Sequence, residues 1–172
     1  MTTNHPWDGV LPSLTLERSS KPRRNGLTMV LDHCQGMRAI EDLMELSGDS
    51  IDQVKLTFGT SVFLERGLLE RKIALMSAHH VDVYPGGTLF EAAVFKRVQL
   101  RYFERAIELG FTAVEISDGT IDLPASVRAD AIRQARDLGL KVFSEVGKKD
   151  PEKQPTPGRM AELLGEGALY DW

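Results

Sequence analysis

The chain has 172 residues, 42% of them hydrophobic and 27% charged, with a formal net charge of -4 and a sequence pI near 5.6. A chain of this size and mix fills one core, and its acidic balance gives no overall attraction to nucleic acid or to an anionic membrane. The single cysteine, Cys34, cannot close an internal disulfide, no apolar run approaches the ~20 residues that cross a bilayer, and the amino terminus lacks the basic-then-apolar order of a secretory signal, so the cytoplasm is the expected compartment.

Residues 1–25 read as an irregular arm: Pro6, Pro12 and Pro22 break any helix, and Lys21, Arg23 and Arg24 form a short basic cluster expected to be a solvated tail. From Gly26 onward (26–172) the chain reads as one α/β domain. Leu27 to Leu31 is a strand candidate, and residues 37–47 place Met37, Ile40, Leu43, Met44 and Leu46 at helical spacing. A second strand runs from Val54 to Phe58, a helix is predicted over 63–79, a third strand over 81–84, and one long helix over 89–109 that ends at Gly110. Residues 111–116 form the fourth strand, Pro124 to Leu138 a helix closed by Gly139, and Leu140 to Val146 the fifth strand. The loop from Asp150 to Gly158 holds three prolines and leads to a short helix over 159–165, and Gly165 to Trp172 resembles the turn before a further strand. Such alternation specifies a mainly parallel sheet with right-handed crossovers. A complete (β/α) TIM barrel takes roughly 200 to 250 residues and eight strands. With five strands counted, either the sheet is open or the barrel is incomplete.

Four apolar segments end in polar clusters where a strand gives way to a helix, and the carboxyl ends of barrel strands open on one face. Lys55 lies inside an apolar strand, where an ammonium needs an anion: either a ligand or an internal partner, Glu115 or Glu145. Gly86-Gly87-Thr88 can aim backbone N–H groups at a phosphate or carboxylate where a helix starts, or can be only a tight turn. Glu115 and Glu145 occupy matching strand positions, with Ser117 and Asp118 following the first of them. These carboxylates can hold Mg²⁺ or make an ion-pair network. Lys148 and Lys149 follow Gly147, and a lysine here can act as a general acid if burial or cationic neighbours lower its pKa, or can be merely solvated. His79-His80 reads as a helix-end cap, because adjacent histidines lack metal-ligand spacing. Cys34 beside His33 does not read as a nucleophile and base, because adjacent strand residues face opposite ways.

The segments Gly26 to Asp32, Val83-Tyr-Pro-Gly-Gly-Thr-Leu-Phe-Glu91, Gly110 to Thr120 and Ser144-Glu-Val-Gly-Lys-Lys149 closely resemble the phosphosulfolactate synthase family, in order and at compatible spacing. The resemblance implies a TIM-barrel lyase that adds sulfite to phosphoenolpyruvate with Mg²⁺, forming (2R)-phospho-3-sulfolactate on a route to coenzyme M or related sulfonates. It implies that Lys149 is the proton donor; that Lys55, Ser61, Tyr84, Gly86, Gly87, Thr88, Ser117 and Lys148 bind substrate; and that Glu115, Glu145 and Asp118 are the metal ligands. Thr57-Phe58-Gly59-Thr60-Ser61 departs from the family's usual Gly-Trp-Gly-Thr-Ser by altering the start of that motif. Family members continue with a strand bearing a Glu-Ala-Arg-Glu-Ser-Gly type motif and two more strands, so this chain is expected to be a fragment or truncated homologue, stabilised either by self-association or by packing its amino-terminal arm across the open side. Some plant relatives are described as heat-stress-associated, so the resemblance also admits an inactive, binding or protective protein on the same barrel.

Overall fold

Two ladders of short parallel strands, each strand followed by a helix, form the sheet in this computed structural model. It describes Trp7, Val10 and residues 19–168, leaving aside the side chains of 163–168. The order is β1 (Met29–Asp32), α1 (Met37–Ser47), β2 (Gln53–Leu56), α2 (Thr60–Phe63), α3 (Arg66–Ala78), β3 (Asp82–Pro85), α4 (Gly87–Phe95), α5 (Gln99–Glu108), β4 (Ala113–Ile116), α6 (Ala125–Asp137), β5 (Lys141–Ser144) and α7 (Pro157–Ala168). β1, β2 and β3 form one ladder, with Val30 beside Val54 and Val54 beside Val83. β4 and β5 form the other, with Val114 beside Val142. The arrangement is mixed α/β and consistent with part of a β/α barrel, with five strands among the described residues.

Because side chains alternate along a strand, Val54, Leu56, Val83, Val114, Ile116 and Val142 face one way. That side is the core, where they join Ile40, Met44, Leu69, Ile73, Met76, Phe90, Phe103 and Ile132 from the helices. Each large side chain buried there is worth about 1.5–3 kcal/mol. The opposite face carries Lys55, Tyr84, Glu115 and Phe143, and along β1 it is open: Leu27, Met29 and Leu31 are 47%, 48% and 45% exposed.

Between the two ladders the joint is made largely by side chains. The Thr112 N–H donates to Val83 O (3.2 Å), the Val83 N–H donates to Thr112 Oγ1 (3.0 Å), and that hydroxyl donates to Asp82 Oδ1 (3.1 Å). Lys141 Nζ reaches the same Asp82 carboxylate at 2.7 Å.

Several expectations change. The single helix predicted over 89–109 is two, α4 and α5, while the one over 63–79 is the single helix α3, starting three residues later after the short α2, with the Glu65 carboxylate capping α3 by accepting the Gly67 and Leu68 N–H groups, both at 2.9 Å. The break after α4 uses the same device as three other helix ends. A residue with left-handed backbone follows the helix, and the next N–H reaches back five residues: Val81 to Met76 O, Val98 to Ala93 O, Phe111 to Ala106 O and Leu140 to Ala135 O. Glycine supplies that conformation at Gly110 (φ +89°) and Gly139 (φ +87°), whereas His80 (φ +55°) and Arg97 (φ +57°) supply it at the other two. The basic cluster is not simply a solvated tail: Lys21 Nζ donates to Gly48 O (2.6 Å) and His79 O (2.9 Å), and Arg23 Nη1 pairs with Asp52 at 2.8 Å, each side chain 7% exposed. The final helix runs on to Ala168 where a turn from Gly165 was expected; the end of that turn and most of the arm lie outside the described residues.

Candidate active site

The first turn of α4 is wedged between the carboxyl ends of β2 and β4, and this wedge collects most of the candidate residues. Gly86 donates to Leu56 O (2.8 Å), and a Cβ placed on it would lie 3.3 Å from Lys55 Cε. A Cβ on Gly87 would lie 2.7 Å from Ser117 Cβ and 3.0 Å from Glu115 Oε2 and would overlap Ser117 Oγ, so only glycine lets the helix approach the sheet this closely.

Glu115, 5% exposed, spans the wedge. Its Oε1 receives Lys55 Nζ at 2.7 Å, and its Oε2 accepts the Gly87 N–H. The favourable anion position at this helix start is thus filled by the protein's own carboxylate. Lys55 also lies 3.9 Å from Glu145 Oε2, so the internal partner left open for it is a real contact, with both glutamates on hand. Tyr84, 3% exposed, packs against Phe143 of β5 with ring centroids 4.6 Å apart and the planes tilted by 34°. Burial first, then the charges of Glu115 and Glu145, push its hydroxyl up from the usual tyrosine range, which keeps it a neutral donor. Lys149 Nζ donates to Thr88 Oγ1, one residue beyond Gly87, and its N–H donates to Gly119 O (2.9 Å). Lys55, Tyr84, Gly86, Gly87, Thr88, Glu115, Glu145 and Lys149 therefore share one region.

Other candidates stand elsewhere. Lys148 Nζ is spent on the loop after β4, donating to Asp118 O (2.8 Å) and Ile121 O (2.6 Å) and pairing with Asp122 at 3.1 Å. Asp118 is held by Arg128 Nη2 at 2.6 Å and by Lys148 at 3.4 Å. Ser117 does lie in the wedge, against Gly87, but its hydroxyl is given to Glu91 Oε1. Ser61, on α2, lines an apolar cavity of about 290 Å³ with Leu89 and Tyr102. A cavity of about 760 Å³ opens at the amino ends of the strands, near Lys21, Arg23, Asp82 and Lys141. Those cations already have partners.

No group of three or more metal-type side chains occurs among the described residues. Asp118 is occupied by Arg128 and Lys148. Both Glu115 oxygens already accept, from Lys55 and from Gly87, and Glu145 lies 3.9 Å from the same lysine, so a Mg²⁺ ion, which takes one or two protein carboxylates, would have to share these two glutamates with Lys55.

Three charged residues that hold the loops around these candidates escape a reading of the sequence. Glu91 follows Gly87 by one helical turn, the spacing that puts both on one face of α4. Arg128 ties Asp118 to Ser144 Oγ (3.0 Å) and Glu145 O (3.1 Å). Lys72, 1% exposed, pairs with Asp32 and donates to Gln35 O (2.6 Å), fixing the loop after β1.

The family described as (2R)-phospho-3-sulfolactate synthase (ComA) matches residues 16–167. The chain belongs to this family. Three relatives named phosphosulfolactate synthase fit the same membership. The protein of Methanothermobacter thermautotrophicus is 44% identical over 140 residues, 81% of this chain and 54% of its own. That of Methanocaldococcus jannaschii is 43% identical over 130 residues, 76% and 52% of the two chains. The Bacillus subtilis protein is 33% identical over 135 residues, 78% and 52%. The chain thus spans about half the length of the phosphosulfolactate synthases it matches. No helix among the described residues is long and apolar enough to cross a membrane.

Proposed function

We propose that this chain carries the β2 to β5 part of a phosphosulfolactate synthase site, built on a TIM-type barrel and adding sulfite to phosphoenolpyruvate. The sulfur lone pair forms a C–S bond at the methylene carbon, the alkene pair moves toward the carboxylate as an enediolate, and a proton delivered to the neighbouring carbon completes (2R)-phospho-3-sulfolactate. The observation that supports this reading best is the convergence of Lys55 and Lys149 on the first turn of α4, through Glu115 and Thr88 respectively. Fixed cations there stabilise charge as it develops on the carboxylate, and the Lys149 ammonium has a proton to give. Tyr84 adds a neutral hydroxyl donor beside them. Mg²⁺, where bound, would be held by Glu145 with Glu115 and would supply further charge stabilisation. Self-association belongs to the same reading, supported by the half-exposed Leu27, Met29 and Leu31 on the open face of β1.

Mixing the protein with phosphoenolpyruvate, sulfite and Mg²⁺ and detecting the sulfonate by mass spectrometry tests the assignment. Wild type should form it, and Lys149→Ala should lose roughly 10²–10⁴-fold in rate, the usual size of a general acid's contribution. A Lys149→Ala protein as fast as wild type would remove Lys149 from the chemistry.

A further inference from the structure

Glu91 is 1% exposed on the face of α4 turned toward β4, and four donors close on its carboxylate. They are Ser117 Oγ, the Gly119 N–H (3.0 Å), the Thr120 N–H (2.7 Å) and Thr120 Oγ1. All four come from the loop after β4, so one side chain of α4 shapes that loop. Burial alone would raise the Glu91 carboxyl, but the hydrogen bonds from Ser117, Thr120 and Gly119 outweigh it and hold it below the usual carboxylate range. It therefore stays a charged acceptor.

The consequence reaches Lys149. Gly119 O accepts the Lys149 N–H at 2.9 Å, and the lysine stem lies over Gly119 so closely that a Cβ there would meet Lys149 Cγ at 3.2 Å and Cε at 3.4 Å. The loop held by Glu91 is thus the surface on which the lysine rests, main chain and methylenes alike. The far end of that lysine then meets Thr88, on the helix that also carries Glu91. The circuit from α4 through the loop to Lys149 and back to α4 closes on itself.

Resting on the reading that Lys149 is the proton donor, we propose that Glu91 is the positioning residue that sets the Lys149 ammonium against the start of α4. Glu91→Gln keeps size and neutralises the charge, but its amide nitrogen cannot accept from Thr120. Turnover should fall by about 10²-fold, the cost of a small misplacement in an active site, with KM for phosphoenolpyruvate little changed. A second readout needs no turnover. Amine acetylation followed residue by residue by mass spectrometry should show Lys149 reacting several-fold faster in Glu91→Gln than in wild type, with Lys55 unchanged. Thr88→Val, which frees the ammonium directly, should reproduce the faster labelling of Lys149. Faster Lys149 labelling in Glu91→Gln, alongside a wild type that forms no sulfonate, would sustain the positioning role and sink the enzymatic reading. Unchanged Lys149 labelling in a folded Glu91→Gln would overturn the positioning role, whatever the wild-type rate.

Discussion

At the scale of single residues, the absent side chain at Gly87 matters as much as the charges around it. Replacing it with alanine sets a helix-propensity gain of about 1 kcal/mol against a clash with Ser117 and Glu115. Overpacking typically costs about 1–3 kcal/mol or more, so Gly87→Ala should lower stability by roughly 1–2 kcal/mol in urea melts. Gly158→Ala is the control, because a Cβ at Gly158 meets nothing within 4 Å. That variant should be unchanged or up to about 1 kcal/mol more stable. Equal midpoints for the two variants would mean that the close approach is not what Gly87 provides. From the sequence, Gly86-Gly87-Thr88 reads either as an anion cradle or as a turn. The decisive neighbour, Ser117, lies thirty positions on, and only folding brings it near. The Lys55 partnership was legible for the opposite reason. An ammonium inside an apolar strand demands an anion, and the matched strand positions of Glu115 and Glu145 supply candidates.

At the scale of elements, α3 shows how a charge can belong to a core. Leu69, Lys72, Ile73 and Met76 are all buried on one helical face, at the spacing of an ordinary apolar stripe. Lys72→Met should cost about 3–5 kcal/mol because it leaves the Asp32 carboxylate buried without its partner, and the double variant Lys72→Met with Asp32→Leu should recover most of that loss. Equilibrium unfolding of the three proteins checks both statements, and a single variant as stable as wild type would contradict the first. Strand and helix order was readable because hydrophobic periodicity and two glycine helix ends, Gly110 and Gly139, mark it. The split between α4 and α5 was not, because Arg97 adopts there the backbone conformation that glycine usually signals.

At the scale of the whole molecule, one sheet face is packed under helices while the other is polar at the strand ends and apolar along β1. If copies associate through that open face, sedimentation at micromolar concentration should show dimers or larger species, and replacing Leu27 and Leu31 with glutamine should shift them toward monomer. Wild type sedimenting as a uniform monomer would rule out that association. The gathering of Lys55, Tyr84 and Lys149 was legible because parallel strands bring their carboxyl ends to one side. The partners of Lys148 and Asp118 were not, because loop conformation chose them. The joint at Thr112 and Glu115 carries a different implication. Where main-chain rungs tie neighbouring strands, their spacing is fixed by the peptide unit and indifferent to sequence. Here a single peptide rung, Thr112 to Val83, is backed by the Thr112 hydroxyl and by the Lys55 to Glu115 pair, so exchanging that hydroxyl or carboxylate should change how firmly the two ladders, and the lysines they carry, are held together.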